Sequence, residues 1–505
     1  MAISIPLTGL ESNNPVPGNY VEIRFAQGPA SAGAGNYSVL LLGNKLSTGS
    51  ADVDGYVYGP DTNVPMTSEA DAIALFGAGS ELHEMVKTFL KVNRSTALYA
   101  APVKESVGSK ASGVISITGT ATASATLRIH VKNDFVDVPV VTGDTASAVA
   151  AAAVLLINAK TSWSVVASSN SGDITLEAKQ KGLRGNLIRF SARVLNSCGL
   201  TVTPTANATA LSGGTTADSN ANVLDAISGT RYYYIVSAAD DVTQLGALGT
   251  QIDTLSGPLV GLRQRGIGAS VDTIANATSV ATAINKARME LVWQPNSDLT
   301  PAELASNAAA VYSLYEAGLV PRCNFSGFGN DAVTSQSWLV KAPKSGSSPT
   351  QSQQKAALNN GITPIAVGRA GATYLVKRVT TRSLNGSVND YRIRDSHKVT
   401  IADRFADDLA AKQVAQFSGK LIGDDPAQGQ RTPGALVTTP KVLKAMVAQL
   451  VREYAANDLL ENEEQIISGI VTVREAAPNT RLSVRVPLDF IDILDQIGSL
   501  VIQND

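Results

Sequence analysis

The chain has 505 residues, a net charge of −2 and only 5% aromatic residues. Its length allows roughly three domains of about 150 residues each, and its balanced charge lacks the basic footprint of a nucleic-acid binder. Two cysteines, Cys198 and Cys323, are too few for a disulfide framework or a zinc site and fit reduced thiols in a reducing cytoplasm. Met1 to Pro6 lacks a basic region and a long apolar core, so no secretory signal is expected there. No apolar run approaches the ~20 residues that span a bilayer, and membrane insertion is not expected.

Tyr20, Val21, Ile23 and Phe25 fall in a segment that alternates apolar and polar side chains after the turn-prone Pro15-Val16-Pro17-Gly18. Period two marks a strand with one buried face, yet a small-residue tether, Ala26 to Gly35, follows it and leaves it without a local partner. The run Tyr37 to Gly43 reads as a strand buried on both faces. A helix opens at Thr67 or Ser68 and stops at Phe76-Gly77; a second, from Ser80 to Val92, carries the stripe Leu82, Met85, Val86, Phe89 and Leu90. Ala97 to Val103 returns as a strand, completing a βαβ-type beginning.

Residues 109–217 are rich in Ser, Thr, Ala and Gly and hold short strands near 114–118, 127–131, 137–141, 164–167 and 174–178, with one Ala-rich helix at 145–160. They read as a β-rich α+β domain inserted into the first. The α/β pattern then resumes with strands at 232–236, 266–269 and 289–293 and helices at 241–255 and 300–317, the last begun by Thr300-Pro301. Beyond the loop 342–350 the clearest helix is Lys441 to Ala456, with Val442, Met446, Val447, Leu450, Val451 and Tyr454 on one half and Lys441, Lys444 and Arg452 on the other. Strands follow at 470–473 and 482–486, where Leu482, Val484 and Val486 alternate with polar residues, and Leu500-Val501-Ile502 forms a last apolar run. The expected fold is thus multidomain α/β: residues 1–35 an arm and tether, 36–108 plus 218–345 a doubly wound core, 109–217 an insertion, and 346–505 a C-terminal α+β domain with its own terminal arm. A strand with unpaired backbone groups must join a sheet somewhere, and the sheet of a neighbouring copy is one candidate.

Chemistry-bearing patterns are sparse. None of His83, His130 and His397 lies beside a Gly-x-Ser-x-Gly elbow, which does not occur. Gly266-Ile267-Gly268 begins a dinucleotide fingerprint, but Val271 stands where the third glycine belongs. No Walker A pattern is found. Asp240-Asp241 reads as a helix cap, and Asp407-Asp408 and Asp424-Asp425 as solvated charges. No cofactor or metal is expected. The alternative function, an α/β hydrolase or nucleotide-binding enzyme with a β-rich accessory domain, lacks its triad or phosphate loop.

Val64-Pro65-Met66-Thr67-Ser68-Glu69, then Leu75-Phe76-Gly77, Met85 to Leu90 and Ala97-Leu98-Tyr99 resemble the N-terminal signature of contractile phage tail sheath proteins. Tyr374 to Thr381, Tyr391 to Asp395 with the helix after it, and the ending of a long helix followed by strands are similar to that family too. Asn93-Arg94-Ser95 replaces the usual Asn-Gly-Gly, and Val376-Lys377 the usual Trp-Gly. The resemblance, to the Mu-like branch or a related contractile injection system, implies subunits in six-fold rings stacked around a tail tube, with baseplate and tail terminator as further partners, assembled in the host cytoplasm into a virion tail. It implies that Tyr20, Val21, Ile23, Phe25 and Leu500, Val501, Ile502 add strands near Leu482, Val484 and Val486 of another copy, with Val21, Ile23 and Phe25 buried only in the assembly. For the tube contact two surfaces are candidates: Lys441, Lys444 and Arg452, or Glu461, Glu463 and Glu464.

Overall fold

The computed structural model describes residues 19, 21, 37–205, 209–316, 340–368, 371–427 and 434–493. Tyr20, Ile23, Phe25, Cys323, Leu500, Val501 and Ile502 lie outside them.

The first helices form where side chains satisfy their free backbone donors. After β1 (Val39–Asn44) comes α1 (Glu69–Phe76), begun by a capping box in which Ser68 and Asp71 serve each other's amides. Helix α2 (Glu81–Val92), capped by Ser80, leads into β2 (Leu98–Val103). The chain then builds a separate sandwich from β3 (Lys110–Thr118), β4 (Ala125–Val131), β5 (Asp134–Val140), α3 (Ala146–Ala159), β6 (Val165–Asn170), β7 (Asp173–Lys181), a 3-10 turn (Leu183–Leu187), β8 (Phe190–Val194) and β9 (Thr201–Thr203). Its antiparallel sheets run β6-β7-β3-β9 and β5-β4-β8 and close on a core of their own that includes Ile115, Leu127, Ile129, Ile157, Leu176 and Phe190.

The alternation of helix and strand resumes with α4 (Ala221–Ala226), β10 (Tyr234–Ser237), α5 (Val242–Leu255), β11 (Arg265–Ser270), α6 (Ile274–Ile284), β12 (Met289–Trp293), α7 (Pro301–Glu316), α8 (Gln351–Asn359), β13 (Thr363–Val367) and β14 (Thr373–Leu375). These elements complete one sheet of order β14-β13-β12-β11-β10-β1-β2, parallel except for β14. One face packs on α1, α2 and α7, the other on α4, α5, α6 and α8, which explains the unbroken burial along β1, β10, β11 and β12. The sheet runs past residue 345 into a stretch that the sequence reading gave to the C-terminal domain. Short strands β13 and β14 carry too few residues to announce themselves by periodicity.

A hairpin of β15 (Leu384–Asn385) with β16 (Val388–Asn389) and a short parallel pair of β17 (Leu421–Ile422) with β18 (Val437–Thr438) flank the long α9 (Ser396–Phe417). Helices α10 (Pro440–Ala455) and α11 (Glu463–Gly469) and the strands β19 (Val471–Arg474) and β20 (Leu482–Arg485) finish the described chain.

Candidate assembly interface

The C-terminal module is held by one apolar cluster: Ile401, Phe405 and Leu409 of α9 meet Leu443, Met446, Val447, Leu450, Val451 and Tyr454 of α10, with Ile466 and Phe490 beneath. Fully burying one such side chain contributes roughly 1.5–3 kcal/mol. The expected stripe is corrected at one position. Val442 is 45% exposed and Leu443 takes the buried place, because the helix turns slightly different residues inward than its six-residue stripe implied.

Strands β19 and β20 form an antiparallel pair with Val471 opposite Arg485 and Arg474 opposite Leu482. Among the described residues no third strand pairs with either outer edge. Leu482, Val484 and Val486 lean on the module's core and stay half-buried. Two edges of the insertion are guarded. The outer strand β5 carries Pro139, which has no N–H to offer. On β6, the Asn158 side chain donates to the Ala167 carbonyl and accepts from its amide, both at 2.9 Å. A proline and a side-chain plug thus blunt two edges of the insertion, whereas β19 and β20 contain no proline.

Of the N-terminal arm, Asn19 donates to the Ala410 carbonyl at 3.1 Å and the Val21 carbonyl accepts from Arg263 at 3.1 Å. Val21 is half-buried against the C-terminal cluster of its own chain. It is therefore not bare in the single subunit, contrary to the expectation of burial only in the assembly: the exposed flank of that apolar cluster offers it partial cover.

The two charged surfaces expected for the tube meet at one pair. Lys441 and Arg452 are exposed and Lys444 is half-buried on α10; Glu461 and Glu464 are exposed and Glu463 half-buried at the start of α11. Arg452 faces Glu463 at 3.6 Å, so cationic and anionic groups share a patch.

A further group was not legible in the sequence. At the amino-terminal ends of β10, β11 and β12, Arg265, Glu290, Glu316 and Arg378 lie fully or almost fully buried. Glu290 accepts from Arg378 Nε and Nη2, both at 2.7 Å, from Ser396 Oγ at 2.6 Å, and from Arg265. Arg378 also pairs with Glu316, which takes the Tyr234 hydroxyl. Alongside, Arg288 grips Asp403 of α9 through both carboxylate oxygens at 2.6 and 2.7 Å. Burial alone would push the Glu290 carboxyl up; Arg378 and Arg265 outweigh it and hold it below the usual carboxylate range. These contacts join the central sheet to α9 and thereby fix the C-terminal module to the body.

The chemistry-bearing residues have structural explanations. His83 is fully buried, its Nδ1 accepting from the Gly79 amide. Half-buried His130 lies tilted against Phe135. His397 sits buried in the first turn of α9, and burial lowers its pKa to about 4. Gly266 and Gly268 lie inside β11, where a Cβ would come within 2.2 Å of Met289 Sδ and 2.8 Å of Leu245 Cδ2. They are glycines of close packing, not of a phosphate loop. Asp241 caps α5 as expected. The other acid pairs are not merely solvated: Asp407 binds Arg231 at 2.6 Å and Arg263 at 2.8 Å, Asp408 takes the Tyr454 hydroxyl, Asp424 meets Arg474 at 3.1 Å, and Asp425 accepts from the Lys441 amide at 2.9 Å. Sequence alone places such partners too far apart to pair. Among the described residues no group of three His, Cys, Asp or Glu is placed to hold a metal, and no helix is long and apolar enough to cross a membrane.

No family model matches the chain. It is 26% identical over 492 residues to the Mu-like prophage FluMu tail sheath protein of Haemophilus influenzae, covering 96% of this chain and 94% of that one. Solved sheath tail proteins from Desulfitobacterium hafniense and Listeria innocua are similar at 13% and 12% identity, with TM-scores of 0.45 and 0.44. They cover 94% and 91% of this chain and 100% and 96% of their own. Over nearly its whole length the chain is thus similar to a phage tail sheath protein.

Proposed function

We propose that this subunit polymerises as stacked six-fold rings around a tail tube, and that the array contracts to drive the tube through a host envelope. The observation that carries the reading is the β19–β20 pair with unguarded outer edges, in a protein that blunts exposed edges of its insertion. A terminal arm of a neighbour, with Tyr20, Val21, Ile23 and Phe25 or with Leu500, Val501 and Ile502, adds a strand to each edge beside Leu482, Val484 and Val486. A four-residue edge strand offers about four outward hydrogen bonds, each contributing about 1 kcal/mol net. One joint is weak and a lattice of them is not. The lattice stays connected while rigid bodies swing outward on the tether 26–35, and the buried joint around Glu290 transmits that motion between module and body. Contraction needs no bound nucleotide when an extended lattice relaxes to one that buries more surface.

The C-terminal module, residues from about 376 onward, faces the tube in this reading, and the insertion lies outward, where a bulky addition disturbs no neighbour. The mixed-charge patch of Lys441, Lys444, Arg452, Glu461, Glu463 and Glu464 is the tube contact. Baseplate and tail terminator complete the set of partners in the virion tail. Negative-stain electron microscopy of purified protein tests the reading: long hollow striated tubes are expected, and deletion of residues 1–27 should abolish or disorder them while leaving the body soluble. Protein that stays monomeric at high concentration, or tubes that survive the deletion unchanged, would overturn it. Reversing the charges of the patch should detach sheath from tube without preventing sheath polymerisation; mutants that still decorate tubes would exclude that contact.

A further inference from the structure

In open α/β sheets the ligand crevice lies outside the carboxyl ends of the strands, where the winding direction reverses. Here that point falls between β1 and β10. Helices α1 and α2 carry the chain from β1 to β2 on one face, whereas α5 carries it from β10 to β11 on the other. Buried there are Asn44 at the end of β1, Ala238 just past β10, Glu81 at the start of α2, and Asp218; of these Glu81 and Ala238 line a small hollow. Glu81 accepts from the Asn44 amide at 2.9 Å, and Asn44 Nδ2 donates to Asp218 at 2.8 Å. Into this carboxylate-lined hollow the insertion places Arg184, from its 3-10 turn: its guanidinium meets Glu81 at 3.1 Å and pairs closely with Asp218. Asp218 in turn accepts from the Ser106 amide at 2.7 Å, tying the two linkers of the insertion together. A second cation, Lys132 at the tip of the β4–β5 turn, reaches Glu84 at 3.2 Å and Glu303 at 2.9 Å.

Each of these ion pairs has the same polarity, cation from the insertion and carboxylate from the body or its linker. The composition matches: residues 109–217 hold nine basic against five acidic residues, whereas 36–108 and 218–345 together hold thirteen against nineteen. Between the two anchors remains a hollow of about 20 Å³, lined by Glu84, Lys132 and Arg184 and by the apolar Leu187, Pro301 and Ala302, among others. The seam therefore adds these ion pairs to an apolar contact, Leu187 of the insertion against the body's core, while each unit keeps its own core.

We propose that the switch-point crevice is a guanidinium-binding socket filled in cis by Arg184, and that this occupant, with Lys132, fixes the orientation of the inserted domain on the body. Arg184 is a positioning residue. Both carboxylates meet the same nitrogen, Nη2, so the reach of the arginine side chain matters as well as its charge.

The test is hydrogen–deuterium exchange on the full-length chain carrying Arg184→Ala. Exchange at the amides of Asn44 and Ser106 should rise about tenfold, as expected for opening of a local unit, while strands β3 to β8 keep their protection. Millimolar methylguanidinium should restore protection at those amides, and uncharged methylurea should not. Arg184→Lys, which keeps the charge and shortens the reach, should give an intermediate rise and serves as the test if the alanine variant does not accumulate. Unchanged exchange in the variant that folds, protection lost evenly across all cores, or no rescue by methylguanidinium beyond that by methylurea would overturn the proposal.

Discussion

Replacing Glu290 with glutamine tests whether the buried joint holds the C-terminal module to the body. The change is nearly isosteric and removes only a charge, at a side chain with no exposure. Four donors converge on that carboxylate, two from Arg378, one from Arg265 and one from Ser396. A glutamine amide keeps one acceptor oxygen and turns an NH₂ group toward donors that cannot accept. Arg265 also loses its buried counter-charge, because its other named partners, Thr400 and Ser396, are neutral. Breaking a buried ion pair by removing one partner typically costs about 3–5 kcal/mol, and the convergence of two arginines places this case at the upper end. Equilibrium urea unfolding should show the loss, with exchange at the start of α9 rising first because Ser396 and Thr400 lie on that helix. A parallel Glu177→Gln change provides scale. Glu177 pairs with Lys110 at 3.0 Å with both side chains well exposed, so its loss should cost no more than about 0.5 kcal/mol. A Glu290→Gln variant within about 1 kcal/mol of the parent would refute the view that the network is a joint under tension between desolvation and pairing.

Three further outcomes follow from the same reasoning. His397 is buried neutral with its pKa lowered to about 4 from the ordinary 6.5; the unfolded chain takes up the proton first, so stability is full above pH 6.5 and falls as pH drops toward 4, by up to about 3 kcal/mol. His397→Phe should flatten that slope in urea midpoints measured across the window, and an unchanged slope would discount the histidine. Gly268→Ala adds a methyl 2.8 Å from Leu245 Cδ2 and should destabilise by about 1–3 kcal/mol, read as a lower thermal midpoint; a higher one would mean the site has slack. Asn158→Ala together with Pro139→Val exposes two edges of the insertion and should raise concentration-dependent light scattering at constant thermal stability, whereas scattering equal to the parent would show that these residues do not guard the edges.

Much of this architecture is written locally. The capping residues Ser68 and Ser80, the Thr300-Pro301 start and the apolar run at 39–42 each act on neighbours within four residues, so the helices and the buried strand could be read without a fold. The family signature around Val64 to Tyr99 could be read the same way, as could the absence of an elbow or phosphate loop. Leu443 and Val442 exchange places because a helical wheel fixes a stripe only to within one residue. The Gly266-Ile267-Gly268 pattern could not be interpreted until Met289 and Leu245 were seen pressing on it.

Sequence by itself determined which segments must be buried, where helices begin, and that the β19–β20 region alternates as a strand should. It could not determine which charges are buried. Arg265, Glu290, Glu316 and Arg378 look like any polar surface residues in one dimension, since local pattern assigns a charge to solvent by default. Only the fold, by bringing partners 25 to 88 positions apart to within hydrogen-bonding distance, supplies the counter-charges that let a carboxylate leave water. The same holds for Arg184, whose socket exists only because the winding of the sheet reverses beside β1.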